Sequence, residues 1–362
     1  MRARADLEAI HPILRSVLEA SGLDEAERRV VEARFDALAT DVASRVGEVR
    51  SPERRARRLH RVLHDRVLVR YQEYADGIDD VIARGDFNCV SSTLVEGLLA
   101  ASLGLTPTIV PGSHHVLLRL TFPTRVVDVE TTARDGFDAR GKAVAWARFL
   151  LVDKLATNDE IAVRGARQLV ELDGSLGPAV PLADGAAFVW HNVAERALAR
   201  GEGRAAALSL LAGETRYPGV AAGGESVQIL LGRAFRVDYD AARFDDAYET
   251  AVIGVTLGPS VVTAHDRLIA AAAQRLERLV DLGDVGQTEE ILVDLRRMLG
   301  DGSSRFERHM LPLIVAAAVR IGDWDRADCL ADRFGVVELD AVEARRLRSW
   351  VGARRIEDES AP

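Results

Sequence analysis

The chain has 362 residues, 48% of them apolar and 28% charged, the composition of a folded protein long enough for two or three domains. Its net charge of −9 and pI near 5.5 argue against a dedicated nucleic-acid binder. No run approaches the ~20 apolar residues of a membrane span, and the two cysteines, Cys89 and Cys329, offer neither a disulfide framework nor a CxxC metal pattern.

The opening stretch, MRARADLEAIHPILRSVLEASG, is broken by charges and by Pro12, so it lacks the apolar centre of a signal peptide. The expectation is a cytoplasmic protein with no membrane association. In that reducing setting a free thiolate can work.

Residues 1–50 predict a helical segment: Leu7, Ile10, Ile13, Leu14, Val17 and Leu18 recur at helical spacing, followed by Val30, Val31, Phe35 and Leu38. A third helix starts at Ser51, a natural N-cap, with Pro52 at its first turn. Its arginines, Arg54, Arg55, Arg57, Arg58 and Arg61, read as a solvated face. The next helix is predicted from Asn88 to Leu103, stopped by Gly104 with Pro107 beyond. The period then changes. PTIV (107–110), HVLLRL (115–120) and RVVDVE (125–130) are short and rich in Val, Leu and Ile, and predict strands. Ala143 to Leu155 reads as helix again, and the Gly- and Pro-rich residues 171–186 read as a linker.

Beyond the linker, residues 187–355 predict alanine-rich helices, with 356–362 as a tail. Helix-pair turns recur near Gly201, Ala242, Gly283 and Gly322, at spacings of 41, 41 and 39 residues. A repeat of that length built from paired helices is the pattern of an α-solenoid. The region resembles a degenerate tetratricopeptide-like array, a surface that would bind a protein partner. The fold class expected for the whole chain is α+β: a Cys-bearing helix on an antiparallel sheet over 51–170, flanked by helices on both sides.

The chemistry concentrates in Gly85 to Thr132. A cysteine nucleophile needs a helix N-terminus or a cation to favour the thiolate, a histidine to carry its proton, and a third group to orient that histidine. Cys89 sits on the first turn of the helix that Asn88 would cap; taken alone it fits a small core residue better than a nucleophile. Alternation in the next two segments puts Val116, Leu118 and Leu120 on one face and His115 on the other, then Val127 and Val129 on one face and Asp128 and Glu130 on the other. With the hairpin loop centred near Thr121 and Phe122, His115 and Asp128 lie directly or diagonally opposite. Cys89, His115 and Asp128 would then form a Cys-His-Asp site. Asn88 is a candidate oxyanion donor as well as a cap, and Glu130 is a candidate for the cleft wall. His114, adjacent to His115, is the other candidate histidine.

The segments NCVSSTLVEGLLAASLGL, VPGSHHVLLRL and DVETTARDGFD, within Leu63 to Asp138, resemble the transglutaminase-like superfamily, in particular a bacterial subgroup whose papain-like domain precedes tetratricopeptide-like repeats. The resemblance implies Cys89 as nucleophile, His115 as base and Asp128 as orienting acid. His115 is favoured over His114 because it precedes the valine of the family pattern, although GSHH departs from the usual single histidine. It also implies a thioester intermediate on an amide of a protein or peptide substrate, with hydrolysis slightly favoured over transfer. The alternative expectation is a non-catalytic interaction scaffold.

No cofactor is expected, because neither a GxGxxG nor a Walker-type loop is present. No metal is expected either: HRVLH places His60 and His64 four apart but has arginine where HExxH has glutamate.

Overall fold

A computed structural model describes residues 2–47, 49–112, 115–139, 177–220, 223–259, 261–300, 303–336 and 341–359. The helix expected over 143–155 and His114 lie outside them. The chain forms two compact units, one of residues 1–197 with 209–227, the other of 198–208 with 228–362.

The first unit opens with α1 (Arg2–Ala20), α2 (Glu25–Val46) and α3 (Pro52–Arg66). Asp24 and Glu27 close a reciprocal capping box on α2, and the Ser51 side chain caps α3 with Pro52 at its start. A two-residue strand β1 (Arg70–Tyr71), helix α4 (Ile78–Arg84) and strand β2 (Asp86–Phe87) follow. β1 and β2 pair in parallel, Tyr71 opposite Phe87. Helix α5 (Cys89–Ser102) starts two residues later.

The sheet is antiparallel throughout, in the order β5-β4-β3-β6, from β3 (Pro107–Pro111), β4 (Val116–Thr121), β5 (Val126–Val129) and β6 (Val180–Pro181). The three strands expected from the sequence are present to within a residue or two. The fourth lies where a linker was expected: Val180 and Pro181 pair with Ile109 and Thr108, and Leu182 behind them is buried.

Helix α5 is buried on every side from Val90 to Ala100. It packs on β3 and β4 on one side and on α1, α3 and α4 on others. Leu94, Leu98 and Leu99 share one core with Leu14 and Leu18 of α1, Phe35 of α2 and Leu118 of β4. Residues of the N-terminal helical segment are therefore part of the sheet's own core. Each such leucine contributes about 1.5–3 kcal/mol by leaving water. Within α2, Val31 and Phe35 face inward and Val30 is exposed. Helix α6 (Ala186–Ala199), expected to open the repeats, places Phe188 and Val189 in this first core.

The remaining helices are α7 (Gly203–Arg216), α8 (Gly223–Asp240), α9 (Phe244–Leu257), α10 (Val262–Leu282), α11 (Val285–Leu299), α12 (Ser303–Arg320), α13 (Trp324–Val336) and α14 (Ala341–Glu359). In the second unit α9 to α14 pack each on the next, around an alanine-rich core running from Ala247 to Val351. The four predicted turn positions share one backbone state: φ is +77° at Gly201, +56° at Ala242, +73° at Gly283 and +77° at Gly322. Left-handed residues end helices, and glycine adopts them without a Cβ penalty. Ala242 carries that penalty. Ala242→Gly is expected to stabilise the second unit by about 1 kcal/mol, read as a raised midpoint in urea unfolding.

Candidate functional site

Cys89 is the first residue of α5, partly accessible while the helix behind it is buried. Asn88 caps the helix completely. Its Oδ1 accepts from the N–H groups of Val90 (2.9 Å) and Ser91 (3.0 Å), while Ser91 Oγ accepts from the Asn88 N–H at 2.9 Å. Its amide nitrogen donates to the Glu73 carbonyl (3.0 Å) and to Asp76 Oδ1 (2.5 Å). Buried Asp76 also accepts from Asn192 at 2.9 Å and lies 2.8 Å from Arg196 Nε, both on α6. The Asn88 side chain is thus fully used in holding the cap, and it is not the oxyanion donor considered for it.

His115 is the residue before β4, and it is buried. Its Nε2 meets Glu130 Oε2 at 2.7 Å, and the ring also hydrogen-bonds the Cys89 side chain. Glu130 is itself oriented: its Oε1 accepts from the Thr132 N–H at 3.0 Å and the Thr132 hydroxyl at 2.6 Å. The acid beside His115 is therefore Glu130, where Asp128 was expected. Asp128 lies on the same face, but both of its oxygens receive the Arg119 guanidinium, Nε to Oδ1 at 2.7 Å and a terminal NH2 to Oδ2 at 3.0 Å.

The reason is register. The β4–β5 turn closes with Phe122 N–H donating to the Arg125 carbonyl, two residues later than a loop centred on Thr121 and Phe122. Leu118 then faces Val129 and Arg119 faces Asp128. A shift by an even number of residues keeps every side chain on its face. The predicted face is therefore correct, and the carboxylate diagonal to His115 becomes Glu130.

Burial disfavours a charged His115, but the Glu130 charge and the hydrogen bonds from Cys89 and Glu130 outweigh it and raise its pKa well above the ordinary histidine value. Glu130 moves the other way: burial acts to raise it, and the His115 charge with the Thr132 bonds brings it below the usual carboxylate value. The two form a buried imidazolium–carboxylate pair with the Cys89 side chain as a further partner of the ring.

Tyr71 was not foreseen. Its phenol is pushed up to about 12 by partial burial and then by the charges of Cys89, Glu73, Glu130 and Asp76, which places it beside the site. Its ring stands edge-on to Phe87, centroids 5.9 Å apart, two residues before Cys89. The available signal was the exposed aromatic pair, Tyr71 and Tyr74, upstream of the cysteine. The His60 and His64 rings have protein partners: His60 pairs with Glu96 and the Ala133 carbonyl, and His64 bonds the Thr131 carbonyl. No group of three or more His, Cys, Asp or Glu suited to a metal occurs among the described residues. Among the same residues, no helix is long and apolar enough to cross a membrane. Cys329 is exposed on α13.

No family model, no curated protein and no solved structure matches this chain.

The two carboxylates are separable by experiment. His115 holds its proton at pH values below its raised pKa and loses it above, so Cys89 alkylation by iodoacetamide should keep a high-reactivity plateau past the ordinary histidine range. Glu130→Gln is expected to draw the alkaline limb of that profile down by about one pH unit or more. Asp128→Asn should leave the profile in place while costing about 1–3 kcal/mol of stability through the lost Arg119 bonds. Equal shifts in both variants would contradict the assignment.

Proposed function

We propose that this chain is a cysteine acyl-transfer enzyme of the transglutaminase-like type, with Cys89 as nucleophile, His115 as general base and acid, and Glu130 as the orienting carboxylate. The observation that carries the reading is the His115 ring, held at Nε2 by a buried carboxylate and hydrogen-bonded to the cysteine at a helix N-terminus. A Cys-bearing helix against antiparallel strands supports the papain-like comparison, and the helical second unit supports the tetratricopeptide-like one.

The reaction follows from these groups. The Cys89 thiolate attacks an amide carbonyl carbon, forming C–S while the carbonyl π electrons move to oxygen. That oxyanion is assigned to the backbone N–H of Cys89, at the positive end of α5. The tetrahedral adduct collapses, C–N breaks, and the amine leaves with the proton from the His115 imidazolium. Water, or an amine, then gives its proton to His115 and attacks the thioester, and C–S breaks to restore the thiolate. With water the sum is amide plus water to carboxylic acid plus amine. Glu130 stays ionised and fixes which imidazole nitrogen faces sulfur, as in other triads. Hydrolysis is favoured over transfer, with a protein or peptide as substrate.

Acid quenching after incubation with a peptide library should reveal an acyl adduct on Cys89 by intact mass, and Cys89→Ala should lose both the adduct and at least about 10³-fold of turnover. Cys89 should also react with iodoacetamide faster than Cys329 near pH 6, although Cys329 is the more exposed. Equal, slow labelling of both with no adduct would replace this reading with that of a non-catalytic interaction scaffold.

A further inference from the structure

We propose that the buried His60–Glu96 pair, acting with Thr131, is a positioning device that holds Glu130 against His115. The inference rests on the reading of Cys89, His115 and Glu130 as the reactive set.

Glu130 needs such a device because it lies past the β4–β5 ladder, where only an isolated antiparallel bridge, Val129 to Phe137, pairs the backbone. The β4–β5 ladder ends at Leu118 and Val129, so Glu130 is the first residue of the loop beyond. That loop closes on itself: the Glu130 N–H donates to the Gly136 carbonyl at 3.0 Å and the Gly136 N–H to the Ala133 carbonyl at 2.8 Å. The closure is tight enough that a Cβ on Gly136 would come 2.0 Å from the Glu130 carbonyl oxygen.

Two helices then pin the loop from outside. On α5, Ser92 Oγ and Thr93 Oγ1 each lie 2.9 Å from the Thr131 hydroxyl. On α3, His64 Nε2 donates to the Thr131 carbonyl at 3.1 Å and His60 Nε2 to the Ala133 carbonyl at 3.0 Å. The Nδ1 of His60 lies 3.0 Å from Glu96 Oε2 and 3.2 Å from Oε1, back on α5. Ser92, Thr93, Glu96, His60 and Thr131 are all buried. A carbonyl only accepts, so His60 Nε2 carries a hydrogen, and the remaining proton is held between Nδ1 and the Glu96 carboxylate. The helix that presents Cys89 at its tip thus grips, along its flank, the loop that presents Glu130. Cysteine and acid are set by one rigid element.

The titratable groups facing His60 are Glu96 from α5 and His64 on its own helix, ring centroids 4.7 Å apart; Arg134 of the loop meets His60 through its backbone, and its charge acts on His64. Burial acts to lower the His60 pKa, yet Glu96 and the two loop carbonyls raise it, so the charged pair survives above the ordinary histidine range and is lost as pH rises further.

The test is the pH profile of Cys89 alkylation by iodoacetamide in the full-length protein, followed by intact mass in a Cys329→Ser background. Glu96→Met and Thr131→Val keep side-chain size while removing the groups that make the grip. Each is expected to shift the profile in the direction of Glu130→Gln and to lower the rate near pH 6 by about tenfold. If both variants lose thermal stability but keep the wild-type profile, their role is structural only and the proposal is overturned. The same holds if Glu130→Gln shifts the profile and neither of them does. A wild-type profile in His115→Ala would instead refute the Cys–His couple itself, and the positioning role with it.

Discussion

A helix buried on all sides cannot leave a polar side chain without a partner, and that constraint on α5 organises the site. Between Val90 and Ala100 it carries Ser91, Ser92, Thr93 and Glu96 in an interior otherwise made of leucine, valine and alanine. Each must be satisfied inside the protein, because an unpaired polar group there costs several times what its hydrogen bond returns. Ser91 reaches the Ala75 carbonyl, Ser92 and Thr93 reach Thr131, and Glu96 reaches His60. Every partner lies on a segment that frames Cys89. The cost of burying polar atoms is thereby converted into geometric precision at the helix tip.

The electrostatics have the same logic at smaller scale. Two buried histidine–carboxylate pairs, His115–Glu130 and His60–Glu96, flank the loop after β5. One faces a sulfur and the other faces only a carbonyl and a neighbouring ring. The chemistry of a histidine is decided by what stands at its second nitrogen. The first pair has a thiol as its further partner, whereas the second ends on a backbone carbonyl.

Much of this was legible from residues alone. Cys89 at a helix start, the three strands, the shared face of His115, Asp128 and Glu130, and the four turn positions from Gly201 to Gly322 all follow from local pattern. What pattern does not carry is register. Alternation names a face, while the partner across the hairpin depends on where the turn closes, and FPTR can close in more than one way. Val180 and Pro181 were hidden for a related reason: two residues in a Gly- and Pro-rich stretch carry no strand signal, and only the free edge of β3 recruits them. The His60–Glu96 pair was half visible, since a lone glutamate in TLVEGLLAA implies a buried partner, but its identity depends on how α3 crosses α5. The resemblance to transglutaminase-like proteins rests on short motifs, and it pointed to Asp128, whereas the carboxylate on His115 is Glu130.

The turn between β4 and β5 has one more consequence. Strand β5 and the residue beyond it present two carboxylates to the same face, two positions apart, one tied to Arg119 and one to His115. Turn length acts as a selector between them, because changing the register by one pleat leaves every face intact and exchanges only the acid that the histidine meets. The hairpin thus holds a second carboxylate in step with the first, and a chain built this way can change the acid beside its histidine without rebuilding the core beneath it.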